Sequence, residues 1–430
     1  MILVDTALAK RHAEGRPLRV GLVGAGYMGR GIALHFLEPP IRGMGLVAIS
    51  NRTIGDAARA YAQGGIEDTR TVSSVRELES AIQAGQPAIT DGATLLCQAD
   101  GIDVLVESTG EIEFGAHIAM EAIRHGKHVV LMNAEMDATI GPILKVHADR
   151  AGVVITNTDG DEPGVAMNLV RFVRGVGYQP LAAGNLKGMI DPYRTPETQK
   201  AFAEKYHQKP RMITSFADGT KLSMECTILA NATGFGVGKR GMHGPKCAHV
   251  KEAMGLFPVE QLLGGGLVDY LLGAEPHTGA WVVAHSDNPI KRQYMNYFKM
   301  GDGPFYVFYT PYHLPHVQIV DTVARAGLFS DATVAPIGAP VCDVLTVAKK
   351  DLAAGETLDG IGGFQCYGTI DNANVVRRDA LLPMGLSEGC KLKRDIPKDQ
   401  AIRTDDVVFP TGRLCDKLRQ EQDAYFAVNR

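Results

Sequence analysis

Gly24-Ala25-Gly26-Tyr27-Met28-Gly29 places three glycines at the spacing that suits a pyrophosphate. The first makes a tight turn, the second lets backbone approach the anion, and the third allows a helix to pack closely on a strand. The apolar run 19–23 precedes this stretch and a helical pattern to about residue 36 follows it. The helix amino terminus would then offer free N–H groups and a partial positive charge to the phosphates. The next apolar run ends in Ser50-Asn51-Arg52-Thr53, without an acid; an Asp or Glu there would bind a ribose 2′-hydroxyl. A guanidinium matches phosphate geometry, so Asn51 and Arg52 point to NADP(H), with NAD(H) the alternative and a solvated Arg52 the bland reading.

Polar residues after the later strands are candidates for the reacting end. In Glu107-Ser108-Thr109-Gly110, the last three are expected to contact the cofactor. In Asn133-Ala134-Glu135-Met136-Asp137, Asn133 is expected at the cofactor and, with Glu135, in catalysis, whereas Asp137 also reads as a helix cap. Asn157-Thr158-Asp159-Gly160-Asp161-Glu162-Pro163 has three acids in four positions. They are oxygen ligands suited to Mg²⁺ or Mn²⁺, or caps for the helix that follows, and capping has slightly more weight. Lys187, after an apolar run from Leu181, is the expected catalytic residue. With its pKa lowered by partial burial it would exchange a proton with a substrate hydroxyl; the alternative is a solvated lysine at a strand end. Asp191 and Arg194 just beyond it, and Lys239, Arg240 and His243 in the glycine-rich segment 234–245, are the expected substrate contacts. With Lys246 the last three make a basic cluster for phosphate or carboxylate, or simply a solvated loop.

Short β-branched runs at 19–23, 46–50, 104–108, 128–132 and 153–156 alternate with helical patterns, which predicts a parallel sheet covered by helices. Ser74 with Glu77 predicts a capping box opening a helix through residue 84, and residues 1–16 read as an amphipathic helical lead-in. Beyond residue 161 a helix is expected over 164–174, then strands at 212–216 and 221–228. Near the end, residues 349–358 and 393–402 form a weak repeat in which basic-basic-Asp-aliphatic precedes a turn at Gly355 or Asp399, residue types that tolerate left-handed backbone. The repeat resembles the SAF domain, a small β-clip. The expected architecture is therefore α/β, with a doubly wound Rossmann domain (1–160), an α+β catalytic and dimerisation domain (161–340) and a SAF-like β-clip (341–430).

A net charge of −4 leaves no electrostatic footprint for nucleic acid or an acidic membrane, so a small-molecule substrate and a homodimer are expected. No leader and no run of ~20 apolar residues is seen. Seven scattered cysteines, without a C-x-x-C pair, read as reduced thiols of the cytoplasm.

The chain resembles the homoserine dehydrogenase-like oxidoreductases with a carboxyl-terminal SAF domain. It is most similar to the 1-deoxy-D-xylulose 5-phosphate reductoisomerase-like proteins. The resemblance rests on residues 24–29, Met132-Asn133, Thr139-Ile140-Gly141-Pro142, Gly160-Asp161-Glu162-Pro163, Ala230-Asn231-Ala232-Thr233-Gly234, Gly241-Met242-His243-Gly244-Pro245, Pro311-Tyr312-His313-Leu314 and Ala348-Lys349-Lys350-Asp351-Leu352. It implies NADP(H), help from a divalent metal, and reductive isomerisation of a phosphorylated ketose to 2-C-methyl-D-erythritol 4-phosphate, an isoprenoid precursor. The sequence departs from that pattern at residues 186–194. The alternative is a dehydrogenase of a polyhydroxy acid or amino-acid alcohol. A cofactor-binding regulatory or carbohydrate-binding protein is the third reading, and Lys187 argues against it.

Overall fold

The structure, a computed structural model, describes residues 4–428; positions 1–3 of the expected lead-in and 429–430 of the expected last domain lie outside them. The chain divides into two compact units. Of the described residues, the first comprises 4–161, Leu314–Ala335 and 414–428; the second comprises Glu162–His313 and Pro336–Arg413.

In the first unit, β1 (Leu18–Val23), β2 (Met44–Ser50), β3 (Arg70–Thr71), β4 (Ala88–Thr90), β5 (Val104–Glu107), β6 (His128–Leu131) and β7 (Ile155–Asn157) form one sheet in the order β3-β4-β2-β1-β5-β6-β7. Every pairing is parallel. A parallel sheet is covered on both faces, and β1 and β5 are accordingly buried almost without interruption. Val20, Leu22, Val104 and Val106 pack with Ile32 and Phe36 of helix Tyr27–Leu37 and with Ile319 and Val323 of helix Pro315–Phe329. Ser74 caps helix Val75–Gln83 by accepting the Glu77 N–H at 3.3 Å, while Glu77 reaches back one residue further, to Ser73. The lead-in contains a helix at Asp5–Ala13.

The second unit is built on β8 (Gln179–Lys187), β9 (Leu267–Leu272), β10 (Ala280–His285) and β11 (Phe305–Thr310), in the order β11-β10-β8-β9. β8 and β9 run parallel, and β10 is antiparallel to β8 and β11. Ala183, Val268 and Val282 face Val165 and Val170 of helix Glu162–Gly175 and Leu222 and Leu229 of helix Thr220–Thr233. Leu186, Leu271 and Trp281 pack on the other face with Phe257.

Two expected strands are corrected. Residues 212–216 lie in helix Pro210–Ala217, and residues 221–228 lie in helix Thr220–Thr233. The second helix is buried from Leu222 through Thr233. A helix buried on all sides has no solvent face to mark a 3.6-residue period, so its β-branched residues resemble a strand.

Beyond Pro336, β12 (Cys342–Ala348) pairs with β13 (Cys366–Asn372), and β14 (Lys391–Leu392) with β15 (Val407–Val408), all antiparallel. The two repeat copies bind each other reciprocally. Leu352 and Ile396 exchange both backbone bonds, Asp351 accepts the Lys398 N–H at 2.8 Å, and Asp395 accepts the Ala354 N–H at 2.8 Å. Gly355 and Asp399 take the left-handed turn conformation, with φ +90° and +65°.

Candidate active site

The glycine turn in the first unit has the build its spacing predicts. Gly24 has φ +102°, and Gly26 caps helix Tyr27–Leu37. A Cβ on Gly29 would lie 2.0 Å from the Gly24 carbonyl oxygen, whereas one on Gly26 would meet nothing within 4 Å. The helix is thus pressed onto the strand while the turn stays open where an anion approaches, with Gly26 and Tyr27 exposed and Met28 half-buried. A dinucleotide pyrophosphate fits that opening. Asn51 braces the turn by accepting the Ala25 N–H at 3.0 Å, and its own amide donates to Thr53 O. Arg52 is exposed at the end of β2.

At the end of β5, the Ser108 hydroxyl donates to Gly24 O at 3.0 Å, and Gly110 has φ +72°. Asn133, fully buried, caps helix Ala134–Ala151 by accepting the Met136 N–H at 3.0 Å. Glu135 is buried in the first turn of that helix. Asp137, also buried, accepts the Asn157 amide at 3.3 Å, and burial pushes its carboxyl up to about 7.

Lys187 belongs to the second unit and stands at the end of β8. Its Nζ lies 2.5 Å from Glu162 Oε1 and 3.2 Å from Glu225 Oε2. Asn185, two residues earlier on the same face of the strand, donates to Glu225 Oε2 at 2.9 Å. His313 Nε2 is 3.5 Å from Glu162 Oε2, and its Nδ1 is 2.7 Å from the Thr278 hydroxyl oxygen. Both glutamates are buried.

The electrostatics correct the expectation for Lys187. Burial does work against the ammonium, but Glu162 and Glu225 outweigh it, so the pKa is raised and the lysine is charged at neutral pH. Burial likewise acts to raise Glu162, yet Lys187 and His313 hold it at about 2. Burial lowers the His313 pKa against the pull of Glu162. The site therefore pairs a firmly protonated donor with a neutral imidazole.

Four of the other expected substrate residues, Asp191, Arg194, Arg240 and His243, are held by partners within the fold. Arg194 pairs with Asp191 at 3.0 Å, in the segment just after Lys187. Arg240 pairs with Asp371 at 2.8 Å, and His243 Nδ1 and N–H both meet the fully buried Asp269 at 2.8 Å. Lys239 and Lys246 are exposed. In segment 234–245, then, Arg240 and His243 are each bound to a carboxylate, whereas Lys239 is exposed. Glu225 is not among the expected site residues, because the sequence of its helix reads as a strand. The signal was there: Glu225 is the one acid in Leu222-Ser223-Met224-Glu225-Cys226-Thr227-Ile228-Leu229, and a lone charge in a buried helix needs a partner. His313 stands out in the sequence only as part of Pro311-Tyr312-His313-Leu314.

Residues 160–319 match the family model "Oxidoreductase DRL, catalytic domain", and residues 24–153 match "Homoserine dehydrogenase, NAD binding domain". No curated protein matches the chain by sequence. Among solved structures, a homoserine dehydrogenase from Thiobacillus denitrificans is 14% identical over 90% of this chain and 98% of its own, with a TM-score of 0.44. A scyllo-inositol dehydrogenase from Lactobacillus casei is 12% identical over 74% and 89%, with a TM-score of 0.41. An NAD-binding oxidoreductase from Klebsiella pneumoniae is 20% identical over 40% of this chain, with a TM-score of 0.28, and the chain spans only 43% of its length. With an NAD-binding domain around its glycine turn and an oxidoreductase catalytic domain around Lys187, this chain is an NAD(P)-dependent oxidoreductase.

Proposed function

We propose that the protein interconverts a small alcohol and its carbonyl compound, in the manner of homoserine dehydrogenase, with a polyhydroxy acid or amino-acid alcohol as substrate. The Glu162–Lys187–Glu225 arrangement carries this reading. Bound nicotinamide cofactor supplies or accepts the hydride. Lys187, kept charged by its two glutamates, hydrogen-bonds the substrate oxygen and gives it a proton as negative charge develops there. Glu162 and Glu225 fix the ammonium and offset the cost of its burial. NADP(H) is preferred over NAD(H), on the strength of Arg52 and the missing acid at the end of β2. We read the carboxyl-terminal repeat as a SAF-like β-clip, and the working form as a cytoplasmic homodimer.

Reductive isomerisation of a phosphorylated ketose has less support, because Arg240 and His243 are matched by Asp371 and Asp269. A substrate panel separates the two readings. Nicotinamide absorbance is followed with amino-acid alcohols, polyhydroxy acids and phosphorylated sugars, with and without Mg²⁺ or Mn²⁺. Turnover of the first two classes, lost in Lys187→Ala, is expected; turnover of phosphorylated sugars alone would sink the proposal.

A further inference from the structure

Glu107, at the end of β5, has no exposed surface, and both its oxygens are engaged. Oε1 accepts the Thr109 N–H at 2.9 Å and also the Thr109 hydroxyl. Oε2 accepts an Asn133 amide proton at 2.8 Å. Asn133 gives its amide also to Glu111 O at 3.2 Å, and its Oδ1 takes the Met136 N–H at 3.0 Å. An ionised carboxylate only accepts hydrogen bonds, so this pairing leaves the Asn133 amide one orientation. Gly115 makes room for the pair. A Cβ there would stand 2.8 Å from Asn133 Nδ2 and 3.2 Å from Glu107 Oε2. The next residue, Ser108, holds the Gly24 carbonyl of the glycine turn.

We propose that Glu107 is a positioning residue for the dinucleotide, which locks the Thr109 loop and Asn133 into the arrangement the cofactor meets. The two anchored segments follow neighbouring strands, since Glu107 pairs with Leu131 across β5 and β6. Ligands of open α/β sheets bind beyond the carboxyl ends of such strands. A strut that orders both segments beforehand removes an ordering cost from binding. Without it the cofactor must order them itself, and affinity falls.

The test is NADPH binding to the full chain, followed by nicotinamide fluorescence, beside the thermal midpoint of the unliganded protein. Glu107→Gln sets an NH₂ group against either the Asn133 amide or the Thr109 N–H, so NADPH binding should weaken about 10- to 100-fold, the scale of an unmet buried hydrogen bond. Gly115→Ala keeps every hydrogen-bonding group and only wedges the pair apart, so it should weaken NADPH binding as well. Parent-like NADPH affinity in either folded variant overturns the proposal. If Glu107→Gln fails to fold, Gly115→Ala decides: weakened NADPH binding supports the lock and unchanged binding overturns it.

Discussion

Lys187 remains an ammonium because two buried glutamates outweigh the burial around it. Such a group can donate to a forming alkoxide throughout the neutral range, but it can accept a proton only when pH rises toward its own raised pKa. Carbonyl reduction should therefore be nearly flat across neutral pH while alcohol oxidation climbs with pH, and initial rates in both directions check this. Lys187→Ala should lower turnover about 10²- to 10⁴-fold, the usual contribution of a positioned acid or base, and leave NADPH affinity unchanged. The same pair predicts acid stability. Glu162 is depressed from 4.5 to about 2 in the folded protein, so its contribution is complete above 4.5 and is lost as pH falls from there to about 2. Lys187→Met removes the main charge that depresses it, so the acid-unfolding midpoint, followed by circular dichroism, should move to higher pH.

Helix Ala134–Ala151 shows how an element can bear a cost that its sequence hides. Asp137 is buried in its first turns beside Asn157, and a Cβ on Gly141 would stand 2.0 Å from its Oδ1. Its carboxyl is raised from 3.8 to about 7, so the folded state binds the proton more tightly than the unfolded chain. Stability then declines as pH rises from about 3.8 to about 7, and the full penalty applies above that window. Asp137→Asn should thus raise the thermal midpoint at pH 8 and leave it nearly unchanged at pH 4; an equal shift at both would refute burial as the cause. The sequence did show that this helix starts near Asn133, because a polar residue after an apolar strand is a recognisable cap. Five of the seven parallel strands were legible for a similar reason, being short β-branched runs punctuated by turns, whereas β3 and β4, of two and three residues, are too short to show a pattern. Helix Thr220–Thr233 was illegible because both signals vanish when all sides are buried: no polar face marks the period, and Gly219 and Gly234 at its ends take φ +86° and +84° instead of offering a side-chain cap. Glu225 was lost with it, and so was half of the carboxylate pair on Lys187.

The chain's last helix belongs to its first unit, a return that no local pattern announces. Leu414–Val428 packs Cys415, Leu418 and Phe426 into that unit, while Glu113 accepts the Leu414 and Cys415 N–H groups at 2.8 and 2.9 Å. Gln422 Oε1 accepts the Ile143 N–H at 3.2 Å, one residue after Pro142 interrupts the bonding of helix Ala134–Ala151. Removing everything after Arg413 would delete the three apolar side chains, expose the surface they cover, strip Glu113 of two donors and take the Gln422 acceptor from Ile143. Residues 342–348 and 366–372 stay with the second unit, where Asn231 Oδ1 accepts the Val341 N–H at 2.8 Å and Thr220 Oγ1 accepts the Gly368 N–H at 2.8 Å. Truncation after Arg413 should therefore lower the melting of the first unit while sparing the second. A nicotinamide cofactor stabilises the folded domain that binds it and not the unfolded chain, so saturating NADPH, the proposed cofactor, should recover part of the loss. Differential scanning calorimetry with and without NADPH reads both effects. A truncated chain that melts as the parent does would show that the terminal helix contributes nothing to the nucleotide unit, and one that NADPH cannot stabilise would show that the helix is needed to form the cofactor site.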